Sequence, residues 1–277
     1  MRSAEALPRL VPEGDAARFT VARGAADTDL SVRFGDTEPE CAGEHLFKAA
    51  PLWQLFRDGE RLRLRFHSEV HGPLPYKEAW FTPDLSHGEI VLRRGLFEAA
   101  NAVDPLAYPL DELLVQGLLA RGRGVELHAC GVISNGRGLL FVGQSGAGKT
   151  TMARLWQPLP GVAVASDDRI IVRGDGNRFV LHGTPWHGEA ELAAPASAPL
   201  SAMFLLARGP RHAVTALSPA EAAARLFACS FLPFWDRDGV DFTIGFLGAM
   251  TGAVPCHELA FVPEPSVVDF VSRQVGA

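Results

Sequence analysis

The residues best suited to chemistry form a glycine-rich run in the middle of the chain. Its sequence is Gly143-Gln144-Ser145-Gly146-Ala147-Gly148-Lys149-Thr150, and Thr151 follows it. The spacing matches G-x-x-x-x-G-K-[ST], the phosphate-binding P-loop. Glycines let backbone amides turn inward around a phosphate, and the helix that follows adds its positive end. We therefore expect ATP to be bound by Gly143, Ser145, Gly146, Ala147, Gly148, Lys149, Thr150 and Thr151, with Lys149 on the β- and γ-phosphates and the Thr150 hydroxyl on Mg²⁺.

The scarcity of lysine draws attention to Lys149. The chain has only three lysines, Lys48, Lys77 and Lys149, and its other basic side chains of fixed charge are arginines. Arginine serves most surface roles equally well, but a planar guanidinium does not replace a compact ammonium between phosphates. The lysine at this position therefore indicates a chemical requirement.

A pair of carboxylates follows the glycine-rich run. Asp167 and Asp168 stand 18 and 19 positions after Lys149, directly behind the apolar run Val162–Ala165. Phosphoryl transfer needs a carboxylate to hold Mg²⁺ and often a second one to accept the acceptor's proton. Neighbouring strand residues point to opposite faces, so the two carboxylates can take these two roles. A surface turn, in which Asp-Asp is common, is the structural alternative.

These residues require an α/β framework to position them. Gly138–Val142 reads as a buried strand before the glycine-rich run, and Thr150–Trp156 as the helix after it. An earlier helix is expected between Pro109 and Gly122, followed by a strand at Val125–Cys130. Further strands are expected at 162–165, 169–172, 179–182 and 202–207, and helices at 219–229 and 265–274. We assign residues 108–277 to this α/β core.

Residues 1–107 are predicted to form a small, mostly β module for docking or substrate recognition. Strands are expected at 19–22, 30–34, 61–66 and 89–93. In Arg61–Phe66 strict alternation puts Leu62, Leu64 and Phe66 on one face and three arginines on the other. We expect the arginine face to be solvated; the alternative is that Arg61, Arg63 and Arg65 hold an anionic partner.

Composition narrows the class of protein. The chain has 277 residues, 47% of them hydrophobic, and a net charge of −6 without any Lys/Arg run. This charge argues against nucleic acid or an anionic membrane as partner. Four scattered cysteines without a C-x-x-C pair indicate neither a zinc site nor a disulfide framework. The N-terminus lacks a signal-peptide pattern and no apolar run approaches the roughly 20 residues of a membrane span, so we expect a cytoplasmic protein.

Taken together, these motifs resemble a known family. The segments are Leu127-His128, Gly131-Val132, Gly138–Thr150 and Asp167-Asp168. They are similar to the C-terminal catalytic domain of HPr kinase/phosphorylase, whose fold is shared with ATP-dependent phosphoenolpyruvate carboxykinase. They are more similar still to HPr-kinase-related P-loop proteins, some of which phosphorylate ribosomally made peptides. The resemblance covers roughly residues 108 to 270.

The resemblance implies roles for single residues. It places His128 near the phosphates and makes Asp167 the general base. Asp168 and Thr150 become ligands of the metal. The order within the acid pair can also be the reverse.

One departure from the family concerns the acceptor. The peptide-binding signature after the acid pair, a Glu-(Ile/Val)-Arg-Gly type run, is replaced by His182–Glu189. His187 or Glu189 is expected to line the acceptor site; the alternative is that Trp186 and His187 only pack within an ordered loop. Recognition of HPr itself is therefore not expected.

The functional prediction is a kinase that uses Mg-ATP to phosphorylate a serine-type hydroxyl of a peptide or protein. The alternatives are a nucleotide-responsive binding protein without transfer and a small-molecule kinase. A carboxykinase is disfavoured, because the chain shows no cluster of extra His, Lys and Arg ligands for a second metal.

Overall fold

The computed structural model describes residues 8–40, 42–97, 100–176 and 178–275. The chain divides into two compact units. The first consists mainly of Val21–Leu114, and the second of Val115–Ala277 together with Arg18–Thr20. The division falls inside the first helix, whereas the sequence-based division at 107/108 lies just before that helix.

The strands and helices of the described residues alternate only in the second unit. The strands of the first unit are β1 (Arg9–Leu10), β2 (Asp29–Gly35), β3 (Glu44–Ala49), β4 (Trp53–Asp58), β5 (Arg61–Phe66), β6 (Lys77–Phe81), β7 (His87–Arg93) and β8 (Ala102–Val103). Helix α1 (Leu110–Leu119) spans the division. The second unit contains β9 (Gly124–Ser134), β10 (Arg137–Val142), α2 (Lys149–Trp156), β11 (Val162–Ser166), β12 (Arg169–Asp175), β13 (Arg178–His182), β14 (Ser197–Arg208), β15 (Ala213–Ala216), α3 (Pro219–Phe227), β16 (Ser230–Phe231), α4 (Arg237–Ala253), β17 (Cys256–Phe261) and α5 (Ser266–Gln274).

The first unit is built on a six-stranded sheet in the order β2-β7-β6-β5-β4-β3. Its neighbours are antiparallel except for β2 and β7, which are parallel. The strands predicted at 30–34, 61–66 and 89–93 are confirmed within β2, β5 and β7. The strand predicted at 19–22 is wrong, because Gly14–Phe19 forms a 3₁₀ helix.

The predicted solvated arginine face of β5 is also wrong. Arg63 and Arg65 are 5% and 4% exposed, and both donate to Glu78 Oε1, at 3.0 and 2.8 Å. The register of β5 on β6 sets Arg65 opposite Glu78, which is itself buried. The buried carboxylate of Glu78 compensates for the desolvation of two guanidinium groups. The strand pattern alone assigns these groups to solvent. Only Arg61 of the row stays exposed, so the row does not form an anion-binding surface.

The second unit is organised around β9. The strands β10, β9, β12, β13 and β14 form a closed circuit, in which each pairs with the next and β14 pairs again with β10. Strand β11 pairs with the edge of β9 opposite β10. Strand β17 extends the sheet parallel to β14, and β15 follows antiparallel to β17.

Apolar packing accounts for the position of α2. Met152, Ala153 and Trp156 form its buried stripe at helical spacing. Trp156 packs against Phe141 of β10, whose ring stacks on Phe204 of β14 at 5.5 Å between centroids. The helix that follows the glycine-rich run is therefore fixed onto the strand that precedes it.

Helix α4 was not predicted from the sequence. Its glycines, among them Gly245, Gly248 and Gly252, are poor helix formers. Tertiary packing overrides this preference, because Thr243, Leu247 and Met250 are buried at helical spacing. None of the helices formed by the described residues is long and apolar enough to cross a lipid bilayer.

Candidate functional site

The register of three strands on β9 assembles the site. Val142, the last residue of β10, lies opposite Ala129, and Ser166, the last residue of β11, lies opposite Gly131. Both strands are antiparallel to β9, so they run in the same direction, and their carboxyl ends lie at the same end of the sheet on either side of β9. Arg169, the first residue of β12, lies opposite His128. The glycine-rich loop, the acid pair and His128 are therefore brought to one stretch of β9.

The loop between β10 and α2 has a backbone that requires glycine. Gly146 and Gly148 have φ values of 79° and 107°, in the left-handed region. A Cβ at Gly148 would lie 2.6 Å from the Phe261 ring, whereas a Cβ at Gly146 would meet nothing within 4 Å. Gly148 therefore serves both as the N-cap of α2 and as the point where Phe261 approaches the backbone.

Lys149 is enclosed by this loop. It is 6% exposed, and its Nζ donates to the carbonyl oxygens of Gly143 and Gln144 at 2.8 and 3.2 Å. Burial lowers the pKa of Lys149, and the negative charge of Asp168 opposes that shift. The ammonium group thus lies within the loop and in the field of the acid pair.

The loop has a second cation beside it. Arg208, at the end of β14, donates from Nη2 to the Gly146 carbonyl at 3.2 Å. Strand β14 is the parallel neighbour of β10, so its carboxyl end emerges beside the loop. The sequence places Arg208 at the end of a buried strand. Only the pairing of β14 with β10 shows that this strand end lies beside the glycine-rich loop.

Asp167 is buried in a clamp of backbone amides. It is 1% exposed. Its Oδ1 accepts from the amides of Gly188 at 2.8 Å and Leu192 at 3.4 Å, and its Oδ2 accepts from Ala190 at 2.9 Å. Both carboxylate oxygens therefore hold the segment 188–192 against the end of β11.

Asp168 faces the opposite way and meets charged side chains. Its Oδ1 lies 3.0 Å from His128 Nε2, and Arg169 Nη1 donates to its Oδ2. The side chains of His128 and Asp168 are 27% and 21% exposed. The hydrogen bond from His128, with the charge of Arg169, lowers the pKa of Asp168 against the effect of burial. Asp168 is thus an ionised and partly accessible carboxylate in a hydrogen-bonded pair with a histidine.

Arg169 links this pair to its surroundings. Its guanidinium lies 4.8 Å from the centroid of the Phe231 ring and 3.8 Å from Oε1 of Glu126. Glu126 is two residues before His128 on β9, so both side chains lie on one face of the strand. The buried carboxylate of Glu126 therefore offsets part of the positive charge of Arg169 next to the Asp168–His128 pair.

The segment His182–Glu189 is tied to the residues on either side of the acid pair. Ser166 Oγ donates to the Trp186 carbonyl at 2.8 Å, and Thr184 Oγ1 donates to the Arg169 carbonyl at 2.6 Å. His187 and Glu189 are exposed on either side of Gly188, whose amide binds Asp167. The structure therefore brings both predicted acceptor residues to the edge of the site without showing what they bind.

The side-chain oxygens of Asp168 and Thr150 are of a kind that suits a magnesium ion held jointly with phosphate oxygens. The described residues contain no group of three or more His, Cys, Asp and Glu side chains placed to hold a metal. Asp168 and the hydroxyl of Thr150, the second residue of α2, are hard oxygen donors. Magnesium prefers this chemistry, and it usually takes one or two protein ligands plus substrate phosphates.

Comparisons with known proteins give distant similarity. The family model for the SynChlorMet cassette protein ScmC matches residues 113–238, somewhat less than half of the chain. The structure of the Hpr(Ser) kinase/phosphatase from Coxiella burnetii is similar over 54% of this chain and 94% of that chain, with 11% sequence identity and a TM-score of 0.32. The search of curated proteins found no match.

Proposed function

We propose that this chain is an ATP-dependent phosphotransferase that moves the γ-phosphoryl group of Mg-ATP to a serine-type hydroxyl of a peptide or protein. One observation carries the proposal. The registers of β10 and β11 on β9 bring the glycine-rich loop, which encloses Lys149, to the same end of β9 as the hydrogen-bonded pair Asp168–His128. The proposal includes a core of the HPr kinase/phosphoenolpyruvate carboxykinase type in the second unit.

The loop supplies the phosphate site in this proposal. Its left-handed glycines let backbone amides converge, and the first turn of α2 adds further donors and the positive end of the helix. Lys149 then exchanges its two carbonyl partners for phosphate oxygens. The residues that would hold the nucleotide are Gly143, Ser145, Gly146, Ala147, Gly148, Lys149, Thr150 and Thr151.

Asp168 and Thr150 would hold the magnesium ion. When bound, the metal would neutralise charge on the transferring phosphoryl group. In this proposal Oδ1 of Asp168 keeps its hydrogen bond with His128, and Oδ2, which accepts from Arg169 Nη1, would exchange that cation for the metal.

The geometry favours His128 over Asp167 as the base. Asp167 is buried and committed to three amides, so an acceptor hydroxyl reaches it only if the segment 188–192 moves. His128 is more accessible, and Asp168 fixes its orientation. With Nε2 donating to Asp168, the lone pair of His128 lies on Nδ1, which takes the proton of the acceptor hydroxyl. Asp167 then acts as a positioning residue.

The test is transfer of label from γ-labelled ATP, with Mg²⁺, to a mixture of serine-containing peptides. Asp168→Asn and His128→Gln should each lower transfer by about 10²–10⁴-fold while ATP still binds. Asp175→Asn, a change of an exposed carboxylate at the end of β12, is the matched control and should transfer at the wild-type rate.

Three results would contradict the proposal. Binding of ATP without transfer to any hydroxyl would favour a nucleotide-responsive binding protein. Labelling of free metabolites alone would favour a small-molecule kinase. Full transfer by His128→Gln would show that the base has been assigned wrongly.

A further inference from the structure

The loop between β16 and α4 begins beside His128. We call residues 231–235, Phe-Leu-Pro-Phe-Trp, the aromatic loop. Ser230 and Phe231 pair with Leu127 and Glu126 of β9, and the carbonyl of Cys229 accepts from the His128 amide at 2.7 Å. The backbone that leads into the aromatic loop is therefore fixed next to the histidine proposed as the base.

Phe231 forms the inner wall of this region. Its ring meets the His128 imidazole edge-on, at 6.1 Å between centroids, and the guanidinium of Arg169 lies over its face at 4.8 Å. An acceptor bound at His128 would therefore lie next to the start of the aromatic loop.

The rest of the aromatic loop is held in a defined shape. Leu232 and Pro233 are buried and anchor it. The amide of Phe234 donates to the Leu232 carbonyl at 2.9 Å, and the amide of Asp236 donates to the Pro233 carbonyl at 2.8 Å. Asp236 then caps α4 by accepting from the Gly239 amide at 3.1 Å.

Phe234 projects from this anchored loop into solvent. It is 66% exposed although residues on both sides of it are fixed. It lies three positions after Phe231, so the two Cα atoms are at most about 10 Å apart. A large aromatic side chain in solvent, on an anchored loop that begins beside the site, is placed to contact a bound partner, and aromatic anchors of this kind supply much of the affinity at binding surfaces.

We propose that Phe234 is a specificity-determining residue that binds an apolar side chain close in sequence to the acceptor serine. This inference rests on the proposed function. Phenylalanine has no hydrogen-bonding group, so the side chain it selects is apolar. An extended peptide covers the distance of up to about 10 Å from Phe231 within about three residues, so a serine at His128 and a side chain at Phe234 can belong to one peptide.

The experiment uses decapeptides with one central serine as the only hydroxyl residue, each with leucine or glutamine at one position on either side of it. Transfer is measured with Mg-ATP for the wild type, Phe234→Ala, Phe234→Leu and the control Ile244→Ala, which removes another exposed apolar side chain of the same unit. The wild type should prefer leucine at one position within about four residues of the serine. Phe234→Ala should raise the KM for that peptide about tenfold, and abolish the preference, with the KM for ATP and the kcat unchanged. Phe234→Leu should retain most of the preference, and Ile244→Ala all of it.

The outcomes separate this inference from the proposed function. Transfer to serine peptides without a flanking preference, or with a preference that Phe234→Ala leaves unchanged, overturns the inference and leaves the kinase proposal intact. Absence of transfer to every serine peptide overturns both. If Phe234→Ala instead converts a dimer to a monomer at unchanged peptide preference, Phe234 serves self-association and the inference is wrong.

Discussion

Replacing Asp167 by asparagine tests whether the first carboxylate of the acid pair positions the site or acts in the chemistry. The carboxylate is 1% exposed and accepts three backbone hydrogen bonds, at 2.8, 2.9 and 3.4 Å. Asparagine keeps a single acceptor oxygen, and its amide nitrogen would face a backbone N–H, donor against donor.

The expected loss of stability follows from these contacts. A hydrogen bond to a charged group contributes about 1.5–3 kcal/mol, and a buried donor left without an acceptor costs about 1–3 kcal/mol. Asp167→Asn loses one short charged bond of this kind and leaves at least one amide of the segment 188–192 unsatisfied. We expect the free energy of unfolding to fall by about 2–4 kcal/mol. Asp168→Asn should cost about 1 kcal/mol or less, because that residue is partly exposed and the new amide oxygen still accepts from His128.

Urea unfolding followed by circular dichroism measures both free energies, and hydrogen exchange reports on the clamp itself. In Asp167→Asn the amides of Gly188, Ala190 and Leu192 should exchange faster, whereas in Asp168→Asn they should keep their wild-type protection. The reasoning is refuted if Asp167→Asn is as stable as the wild type, protects these amides equally well and still loses transfer. Asp167 would then act in the reaction.

The remaining predictions concern the loop, its lysine and a buried cation in the first unit. Lys149→Ala should abolish binding of a non-hydrolysable ATP analogue in calorimetric titration, and Lys149→Arg should also bind poorly, because a guanidinium is broader than an ammonium; unchanged affinity in Lys149→Ala would contradict the phosphate site. Gly148→Ala should lower the free energy of unfolding by about 2–4 kcal/mol, since it combines a φ of 107° with a Cβ 2.6 Å from the Phe261 ring. Gly146→Ala has backbone strain alone and should lower it by about 1–2 kcal/mol. Equal losses in thermal or urea unfolding would show that the Phe261 ring moves aside at no cost. Burial lowers the pKa of Lys77 from 10.5 to about 8, so between these pH values the unfolded chain binds more protons than the folded one and stability should rise with pH. Unfolding measured at pH 8 and pH 10 should show this rise in the wild type relative to Lys77→Met, and parallel curves for the two proteins would refute the shift.

The sequence was most informative where a structural requirement is local. The strand Gly138–Val142, the helix to Trp156 and the strand before Asp167 appear within a residue or two of their predicted positions, because apolar periodicity and turn residues act over a few neighbours. The strand after Asp168 begins at the predicted Arg169 but continues three residues beyond its predicted end, to Asp175. Helix α4 was missed for the same reason: its glycines argue against a helix locally, and only its burial in the second unit overrides them.

Long-range pairing limited the prediction in the first unit. The alternation in β5 correctly indicated a strand but assigned Arg63 and Arg65 to solvent. Glu78 is 13 residues from Arg65 in sequence, and only the pairing of β5 with β6 makes it a partner for both arginines.

The candidate site shows the same division between sequence and tertiary structure. The sequence by itself determined which groups are present: a glycine-rich run ending in a lysine, two adjacent carboxylates and a histidine upstream, all recognisable from residue type and spacing. Only the tertiary structure decided what surrounds each group, because this depends on which parts of the backbone reach each side chain. The amides of the segment 188–192 bind the oxygens of Asp167, while β9 places His128 in hydrogen-bonding distance of Asp168 and β16 brings Phe231 beside His128. Adjacent residues in one motif thus acquire different surroundings, since successive side chains of a strand point to opposite faces and meet different parts of the chain.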